Sequence, residues 1–380
     1  MNIIIYGLGS GRLRVERYLK KEHQIIGYSD SFYEQKSFSN KNFYKPYELK
    51  NIKYDYIVLC IGEIVLSRKI EADLINLGVE KEKIINFYIT YRYYIDLEDK
   101  IRKIEKEDYE CMVLGISHSL YGINKKYLKY KPLKLCSGRQ DLYYNLQKLK
   151  KNENLISKSK CIIIDMYTYT YFNYDVSMSR AALEYILENN FVNNTHNFNN
   201  NPHYQTIDKE IEAMNTTEFE KVFDVKGIDE LRDYIESGMY NNEYYDVTIN
   251  KTLSVDNLKD IRYKPSSIQK NTYSITEKEN IQIFEEILKI IRCNNKDIKI
   301  YLVLIPQYIK MENDIKEYEK QWKKRFYDIL DEFNETYDFK VLDFKGCNEI
   351  SSNPNYYCDL SHLNAEGSKK FTQLLNDYID

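Results

Sequence analysis

Two short polar motifs, 245 residues apart, carry side chains that could perform nucleophilic chemistry. The first is Gly115-Ile116-Ser117-His118-Ser119-Leu120-Tyr121-Gly122, directly after an apolar run, and the second is Asp359-Leu360-Ser361-His362-Leu363-Asn364. A serine hydroxyl is a weak nucleophile at neutral pH, so acyl chemistry needs a histidine to take its proton and a carboxylate to orient that histidine. We therefore predict a triad of Ser117, His362 and Asp359.

The composition argues against several classes of partner. The 380 residues include 55 Lys and Arg against 58 Asp and Glu, a formal net charge of −3, and the basic residues are spread along the chain. Such a balance gives no general attraction to nucleic acid or to an anionic membrane. The 38 Tyr residues are interpreted as a bias of the whole chain, because no basic patch accompanies them. We expect no nucleic-acid partner, and the sequence leaves the oligomeric state open.

The seven cysteines are odd in number and widely spaced, without a C-x-x-C pair or a Cys/His cluster. This usage is typical of reduced thiols in a cytosolic protein and offers no metal site. No stretch approaches the roughly 18 apolar residues of a membrane span, and the first residues lack the basic leader of a signal peptide. The sequence predicts a cytoplasmic protein with no bound metal and no membrane span.

Residues 1–94 are predicted to form a Rossmann-like domain. A strand, Ile3–Tyr6, enters the turn Gly7-Leu8-Gly9-Ser10-Gly11, which is followed by a helix and by a second strand closed by Asp30. In a dinucleotide-binding unit, glycines let a phosphate approach a helix N-terminus, and an acidic residue about 20 positions later contacts a ribose. Gly7, Gly9, Gly11 and Asp30 are therefore candidate nucleotide contacts.

This segment resembles the small Rossmann-like N-terminal domains of sugar-modifying enzymes in bacterial surface-glycan pathways. The resemblance rests on the Gly7 and Gly9 turn and on Ile26-Gly27-Tyr28-Ser29-Asp30. It implies a nucleotide or nucleotide-sugar ligand with Asp30 at the ribose. Arg12 stands where the G-x-G-x-x-G fingerprint has its third glycine, so the spacing supports the fold better than the ligand. An NAD-dependent oxidoreductase is disfavoured, because no Tyr-x-x-x-Lys pattern follows in the expected helix.

A charged, helical segment at 95–110 is predicted to connect this domain to a second one at 111–380. In the second domain strands alternate with helices, and the predicted strands are Cys111–Leu114, Leu133–Cys136, Cys161–Met166, Ile298–Ile305 and Phe339–Phe344. That alternation predicts a parallel sheet covered on both faces, with chemistry at the carboxyl ends of its strands. The fold class is thus a two-domain α/β protein, in which Ser117, Asp359 and His362 all follow strands.

From Cys111 to Asp380 the chain resembles the SGNH (GDSL-type) hydrolase superfamily, most closely its branch associated with surface polysaccharides. Gly115-Ile116-Ser117 with Gly122 matches the nucleophile block, although Ile116 replaces the usual acid, and Asp359 to His362 matches the final D-x-x-H block. The resemblance implies an α/β/α sandwich and an oxyanion hole formed by the amides of Ser117 and Gly138.

The family's third block, G-x-N-D, is absent, and the nearest side-chain amide is Asn173. In the SGNH family this block supplies an asparagine donor to the oxyanion hole. Three alternatives remain open: Asn173 or a tyrosine hydroxyl substitutes, the backbone amides serve alone, or the enzyme is slow or inactive.

These features predict serine-dependent acyl transfer on a carbohydrate or glycan precursor, with His118 and Tyr121 as substrate contacts. Water as the acceptor makes an O-acetyl esterase, which requires no cofactor. A sugar hydroxyl makes an O-acetyltransferase, for which acetyl-CoA is one candidate donor. The competing prediction is a weakly active or inactive protein that binds a glycan or nucleotide-sugar. Taken singly, Ser117 and Asp359 could each be only a helix cap.

Overall fold

The computed structural model describes two compact α/β units. The described residues are 1–9, 11–33, 37–94, 109–179, 182, 185–186, 214, 216–228, 240–241, 246–247, 252 and 263–380. Of these, 1–94, 186, 214 and 216–228 belong to the first unit, and the others form the second. Most of the predicted connecting helix at 95–110 lies outside the described residues. Within the described ranges, no helix is both long and apolar enough to cross a membrane.

Thirteen strands and eleven α-helices are present in the described part of the chain. The strands are β1 (Asn2–Tyr6), β2 (Gln24–Ser29), β3 (Ser37–Phe38), β4 (Lys41–Tyr44), β5 (Tyr56–Leu59), β6 (Ile84–Asn86), β7 (Cys111–Gly115), β8 (Pro132–Cys136), β9 (Cys161–Asp165), β10 (Tyr240–Asn241), β11 (Asp246–Val247), β12 (Lys299–Leu304) and β13 (Lys340–Asp343). The helices are α1 (Gly11–Tyr18), α2 (Ile64–Asn76), α3 (Phe87–Tyr94), α4 (Ser117–Gly122), α5 (Leu142–Lys151), α6 (Thr216–Val222), α7 (Ser267–Lys270), α8 (Ser274–Asn294), α9 (Ile309–Tyr337), α10 (Asn348–Ser351) and α11 (Ala365–Leu375).

The first unit is built on a six-stranded sheet in the order β3-β4-β2-β1-β5-β6. Its strands pair in parallel except β3 with β4, which is antiparallel. The central strands β1 and β5 bury runs of Ile and Val completely, as expected for a sheet with cover on both faces.

The helix α6 belongs to the first unit, although the sequence assigns the whole of 111–380 to the second domain. Phe219 on α6 packs against Phe87 of α3, with ring centroids 5.6 Å apart, and against Tyr94 at 5.5 Å. Phe223, just after α6, lies 5.0 Å from Phe87 and pairs through its backbone with Leu19. A long-range aromatic contact therefore brings a distant segment into this unit.

The second unit contains a parallel five-stranded sheet in the order β13-β12-β9-β7-β8. Side chains alternate along each strand, so that Leu114 and Ile164 face a core with α5, α8 and α9, whereas Val113 and Ile163 face a core with α11. If these five strands are numbered in chain order from β7, their order across the sheet is 2-1-3-4-5. The direction in which successive strands are added to the sheet therefore changes beside β7. Ligands bind at such a switch point, and Ser117 follows β7.

Replacing Phe219 with Ala should destabilise the first unit, because a fully buried aromatic ring is lost. The expected loss is about 3–5 kcal/mol. Native-state amide hydrogen exchange should show reduced protection in β1 and β5. Phe32→Ala is the matched control, because Phe32 is 92% exposed. Unchanged protection in the Phe219 variant would contradict the packing of α6 on this unit.

Candidate active site

The structure brings Ser117, His362 and Asp359 together. Ser117 Oγ lies 2.8 Å from His362 Nε2, and His362 Nδ1 lies 2.9 Å from Asp359 Oδ2 and 3.1 Å from Oδ1. With a proton on Nδ1, the imidazole donates to the carboxylate and offers Nε2 as the acceptor for the serine proton. This is the tautomer that a general base requires.

The carboxylate of Asp359 is held by its own loop. Its Oδ1 accepts hydrogen bonds from the backbone N–H groups of Ser361 and His362, each at 2.8 Å. Burial alone would raise the pKa of Asp359, but hydrogen bonding and attraction to His362 and the two backbone donors together lower it below the ordinary 3.8. The side chain is 55% exposed, against 22% for His362, so water screens the charge interaction and the main contribution of Asp359 is orientation.

Neither Ser117 nor Asp359 serves as a helix cap. Ser117 is the first residue of α4, and the preceding Ile116 makes no side-chain cap. The helix α11 is capped by Asn364, whose Oδ1 accepts from Gly367 N–H at 3.0 Å. Both side chains are thus oriented toward His362 rather than toward helix termini.

A buried carboxylate that the sequence motifs did not reveal, Asp165, organises the turn between β7 and α4, which is the predicted nucleophile turn. Asp165 ends β9 and is fully buried; its Oδ2 accepts from Ser119 N–H at 2.9 Å, and its Oδ1 accepts from Tyr167 N–H at 2.8 Å. A Cβ at Gly115 would overlap Asp165 and come within 2.5 Å of Ser119 Oγ, and the φ of Gly115 is +151°. Only glycine fits this approach. The sequence does carry one signal for Asp165, an acidic residue at the carboxyl end of an otherwise apolar strand.

Burial raises the pKa of Asp165 to about 6, while hydrogen bonds from Tyr167, Ser119 and Ile116 oppose the increase. Near neutral pH the group is therefore mainly a carboxylate that accepts backbone N–H donors. Tyr167, one of these donors, has a left-handed backbone with φ 56°, which is uncommon for an aromatic residue.

Gly138, the second predicted oxyanion donor, lies in a turn that is bonded to the turn before Ser117. It lies in the turn after β8, and Ser137 N–H donates to the Gly115 carbonyl at 3.3 Å, which ties this turn to the one before Ser117. Among the residues that the structure describes, Gly138 N–H has no acceptor, and no atom lies within 4 Å of a Cβ built on it. The first N–H groups of a helix also lack intrahelical partners, so the Ser117 amide is available as well.

Asn173 is placed differently from the other predicted oxyanion donors. It is 1% exposed, and its Nδ2 donates to the carbonyls of Ile268 and Asn271, both at 2.8 Å. Its Oδ1 accepts from Tyr273 N–H at 2.7 Å. The amide anchors the segment before α8 and has no N–H left for an oxyanion.

The two predicted substrate contacts surround His362. The His118 ring stacks on the His362 ring, with centroids 4.6 Å apart and 23° between the planes, and the Tyr121 ring meets His362 edge-on at 5.9 Å. His118 is 5% exposed, contacts Tyr167 at 4.9 Å, and has its Nε2 3.3 Å from Gln307 Nε2. Burial, reinforced by repulsion from His362, lowers the pKa of His118 well below 6.5. His118 is therefore neutral at neutral pH.

In the first unit, the predicted nucleotide residues lie around the turn after β1. Asp30 accepts from Leu8 N–H at 3.1 Å and from Phe32 N–H at 2.9 Å, so it shapes the glycine turn. Gly7 has φ +102°, and a Cβ at Gly11 would lie 2.9 Å from both Cys60 O and Tyr88 Oη. A Cβ at Gly9 would meet no atom of the described residues within 4 Å. Gly11 thus allows close packing, whereas Gly9 faces open space.

The described residues contain no group of three or more His, Cys, Asp or Glu side chains arranged to hold a metal ion. All seven cysteines are free thiols, and five of them are buried.

Known proteins resemble the chain only in part. Residues 1–85 match the family described as C2185-like, N-terminal. No curated protein matches the chain. A solved structure from Streptococcus pneumonia, provisionally described as a platelet activating factor, aligns with a TM-score of 0.34 and 9% identity over 74% of this chain and 92% of its own. The lipase Lip_vut3 from a goat rumen metagenome aligns with a TM-score of 0.33 and 10% identity over 70% of this chain and 96% of its own. Scores this low carry no argument about function.

Replacing Asp165 with Asn should change how stability depends on pH. Its pKa is about 6 in the folded protein, above the ordinary 3.8. Between these values the folded state binds more protons than the unfolded chain, so this group makes wild-type stability fall as pH rises from about 4 to 6. The Asn variant lacks this fall. Its free energy of unfolding relative to wild type should therefore rise by about 3 kcal/mol between about pH 4 and pH 7.

Urea denaturation at a series of pH values measures this difference. The exposed Asp377→Asn variant is the control and should give a flat difference. A flat difference for Asp165→Asn as well would contradict burial of the ionised carboxylate beneath the nucleophile turn.

Proposed function

We propose that the protein catalyses serine-dependent acyl transfer on a carbohydrate or glycan precursor, as an O-acetyl esterase or an O-acyltransferase. The observation that carries this proposal is Ser117 Oγ at 2.8 Å from His362 Nε2, with Asp359 Oδ2 at 2.9 Å from the other ring nitrogen. These distances suit a nucleophile, its base and an orienting group.

In the first step, Ser117 Oγ attacks the ester carbonyl carbon and transfers its proton to His362 Nε2. The carbonyl oxygen becomes an oxyanion that accepts hydrogen bonds from the amides of Ser117 and Gly138. As the tetrahedral intermediate collapses, the ester C–O bond breaks and His362 returns the proton to the departing oxygen. The products are a free alcohol and an acyl group on Ser117.

In the second step, an acceptor hydroxyl gives its proton to His362 and attacks the acyl carbonyl. Ser117 Oγ then leaves and recovers the proton. Water as the acceptor releases a carboxylic acid without any cofactor, whereas a sugar hydroxyl gives a new ester. For transfer, acetyl-CoA is one donor that would load Ser117. The free thiols are compatible with a reducing compartment, and we place the reaction in the cytoplasm.

A second candidate function is glycan or nucleotide-sugar binding with little or no turnover. The observation that favours it is the occupied amide of Asn173, which leaves the oxyanion hole with two backbone donors. Loss of one oxyanion donor lowers kcat by about 10²- to 10³-fold in enzymes that depend on it.

We also propose a nucleotide or nucleotide-sugar ligand for the first unit. The open space above Gly9, at a turn that leads into α1, supports this proposal, because phosphate groups bind where glycines expose a helix N-terminus. Asp30 would be the ribose contact while it also holds Leu8 N–H.

Titration with UDP-glucose and with NADH should distinguish the ligand classes of the first unit. UDP-glucose should bind with a micromolar to millimolar dissociation constant, and Gly9→Val should weaken it by about tenfold or more, because the side chain would occupy the phosphate position. Gly62→Val is the control, since space above Gly62 is also open. Binding that is equal in wild type and the Gly9 variant would contradict the assignment.

A fluorophosphonate probe should label wild-type protein at Ser117, and Ser117→Ala should abolish this labelling. Asp359→Asn should keep the site but lower kcat for p-nitrophenyl acetate by on the order of 10²- to 10⁴-fold, because the imidazole loses its preferred tautomer. Ser352→Ala, at an exposed serine, is the control. Labelling that persists in Ser117→Ala would remove Ser117 from the mechanism, and a wild-type rate equal to that of Ser117→Ala would favour the binding function.

A further inference from the structure

A cavity with several charged side chains in its wall lies at the same edge of the sheet as the triad. Its volume is about 500 Å³, and its walls come from the segments after β9 and β13 and from one face of α9. The wall residues used below are Tyr169, Glu312, Lys316, Lys320 and Gly346. Ligand cavities in proteins typically measure about 300–1,000 Å³, so this one has room for a sugar residue.

A short chain of contacts connects this cavity to the catalytic base. Glu312 lines the cavity, and its Oε1 accepts from Gln307 N–H at 3.4 Å. The Gln307 side chain contacts His118 at 3.3 Å, and His118 stacks on His362. Gln307 is fully buried. The cavity therefore begins two side chains away from His362.

The floor of the cavity contains a buried cation. Lys345 Nζ lies 2.5 Å from Glu319 Oε1, and their side chains are only 3% and 9% exposed. The same ammonium lies 4.9 Å from the centre of the Tyr169 ring. A buried ion pair contributes little net stability, and both of its residues line the cavity.

The carboxylates of the cavity are largely neutralised. Glu319 is paired with Lys345. Burial raises the pKa of Glu312 to about 7, with Lys345 opposing the increase, so much of its negative charge is absent at neutral pH. Asp343, next to the cavity, accepts from the Tyr169 and Tyr327 hydroxyls and lies 3.5 Å from Lys323 Nζ.

Positive charge remains along the wall formed by α9. Lys316, Lys320 and Lys323 lie on one face of the helix, at spacings of four and three residues, and all three line the cavity. Among the residues described, no carboxylate lies within 4.0 Å of the Lys316 or Lys320 ammonium. Glu317, which is exposed, also lines the cavity and carries the opposite charge. Lys316 and Lys320 therefore offer an anionic ligand two ammonium groups that no carboxylate of the described residues holds.

We propose that this cavity binds an acidic sugar unit of the ester substrate, with its carboxylate or phosphate against Lys316, Lys320 and Lys323. This proposal rests on the proposed acyl transfer for the identity of the ligand as part of the substrate. Lys345 and Glu319 form the polar floor, and Gln307 and His118 separate the acidic unit from the acyl group at Ser117. The enzyme would then select esters carried by anionic glycans over those carried by neutral ones.

The test measures binding to the full-length chain by saturation-transfer NMR and calorimetry at millimolar sugar. The probes are glucuronic acid, glucose 6-phosphate and, as the neutral control, glucose. At least one anionic sugar should bind about tenfold more tightly than glucose, and the comparison of the two identifies the preferred anion. Lys320→Glu should weaken that binding by about fivefold. Lys324→Glu, which changes a lysine paired with Asp328 outside the cavity wall, should not.

Gly346→Trp provides a steric test that does not depend on charge. Gly346 lines the cavity, and no atom of the described residues lies within 4 Å of a Cβ built on it, so a side chain that begins there meets no close neighbour and can occupy the space of the ligand. It should abolish binding of the anionic sugar, whereas Gly62→Trp, at a similarly open glycine of the first unit, should not. Anionic sugars that bind no better than glucose, or that bind equally to Gly346→Trp, would overturn the proposal.

The outcomes also separate this proposal from the catalytic one. Ser117-dependent hydrolysis of p-nitrophenyl acetate without any preference for anionic sugars would reject the cavity assignment alone. Anion binding that Gly346→Trp abolishes, in a protein without esterase activity, would reject the acyl-transfer proposal and leave an anionic-sugar site.

Discussion

The buried carboxylate of Asp165 is the interaction on which the rest of the site depends. It lies at the end of β9, the middle strand of the five, and accepts hydrogen bonds from the turn after β7 and from the turn after β9. Two loops that are separate in sequence are thus fixed to one rigid point. Burial of this charge is unfavourable, as its raised pKa indicates, and the backbone N–H donors offset the penalty. The same contact requires glycine at position 115, because a Cβ there would overlap Asp165.

The strand order determines how the remaining residues reach Ser117. Since β7 lies between β8 and β9, Gly138 approaches from one side, and Tyr167 and His118 lie toward the other. The loop with Asp359 and His362 comes from beyond β13, at the far edge of the sheet, so it needs anchors along the way. Leu360 O accepts from Tyr308 N–H at 3.1 Å, and His362 O accepts from Cys358 N–H at 3.0 Å. These backbone bonds help to hold His362 beside Ser117.

The sequence predicted the α/β class correctly because strong apolar runs, such as Cys161–Ile164, can be recognised locally. The short strands β3, β4 and β6 were not predicted, since two to four residues of mixed polarity carry no period. The packing of α6 on the first unit was not visible either, because Phe219 and Phe87 are far apart in sequence. Similarly, the contact between Asp165 and the nucleophile turn depends on the register of β7 against β9, with Leu114 opposite Ile164. Asn173 was a candidate oxyanion donor because it is the side-chain amide nearest in sequence to the missing third block. Its actual partners, at 268–273, are brought to it only by the tertiary fold.

The neutral state of His118 has a direct consequence for the base beside it. In the acyl transfer that we propose, His362 takes up a proton and becomes an imidazolium, with the His118 ring centre only 4.6 Å away. A second positive charge at that distance would oppose protonation by roughly 4 kcal/mol at an effective dielectric constant of about 20. Burial keeps His118 uncharged, so its ring can stack on the imidazolium without this repulsion. In the proposed mechanism, the burial of His118 therefore spares His362 a neighbouring positive charge.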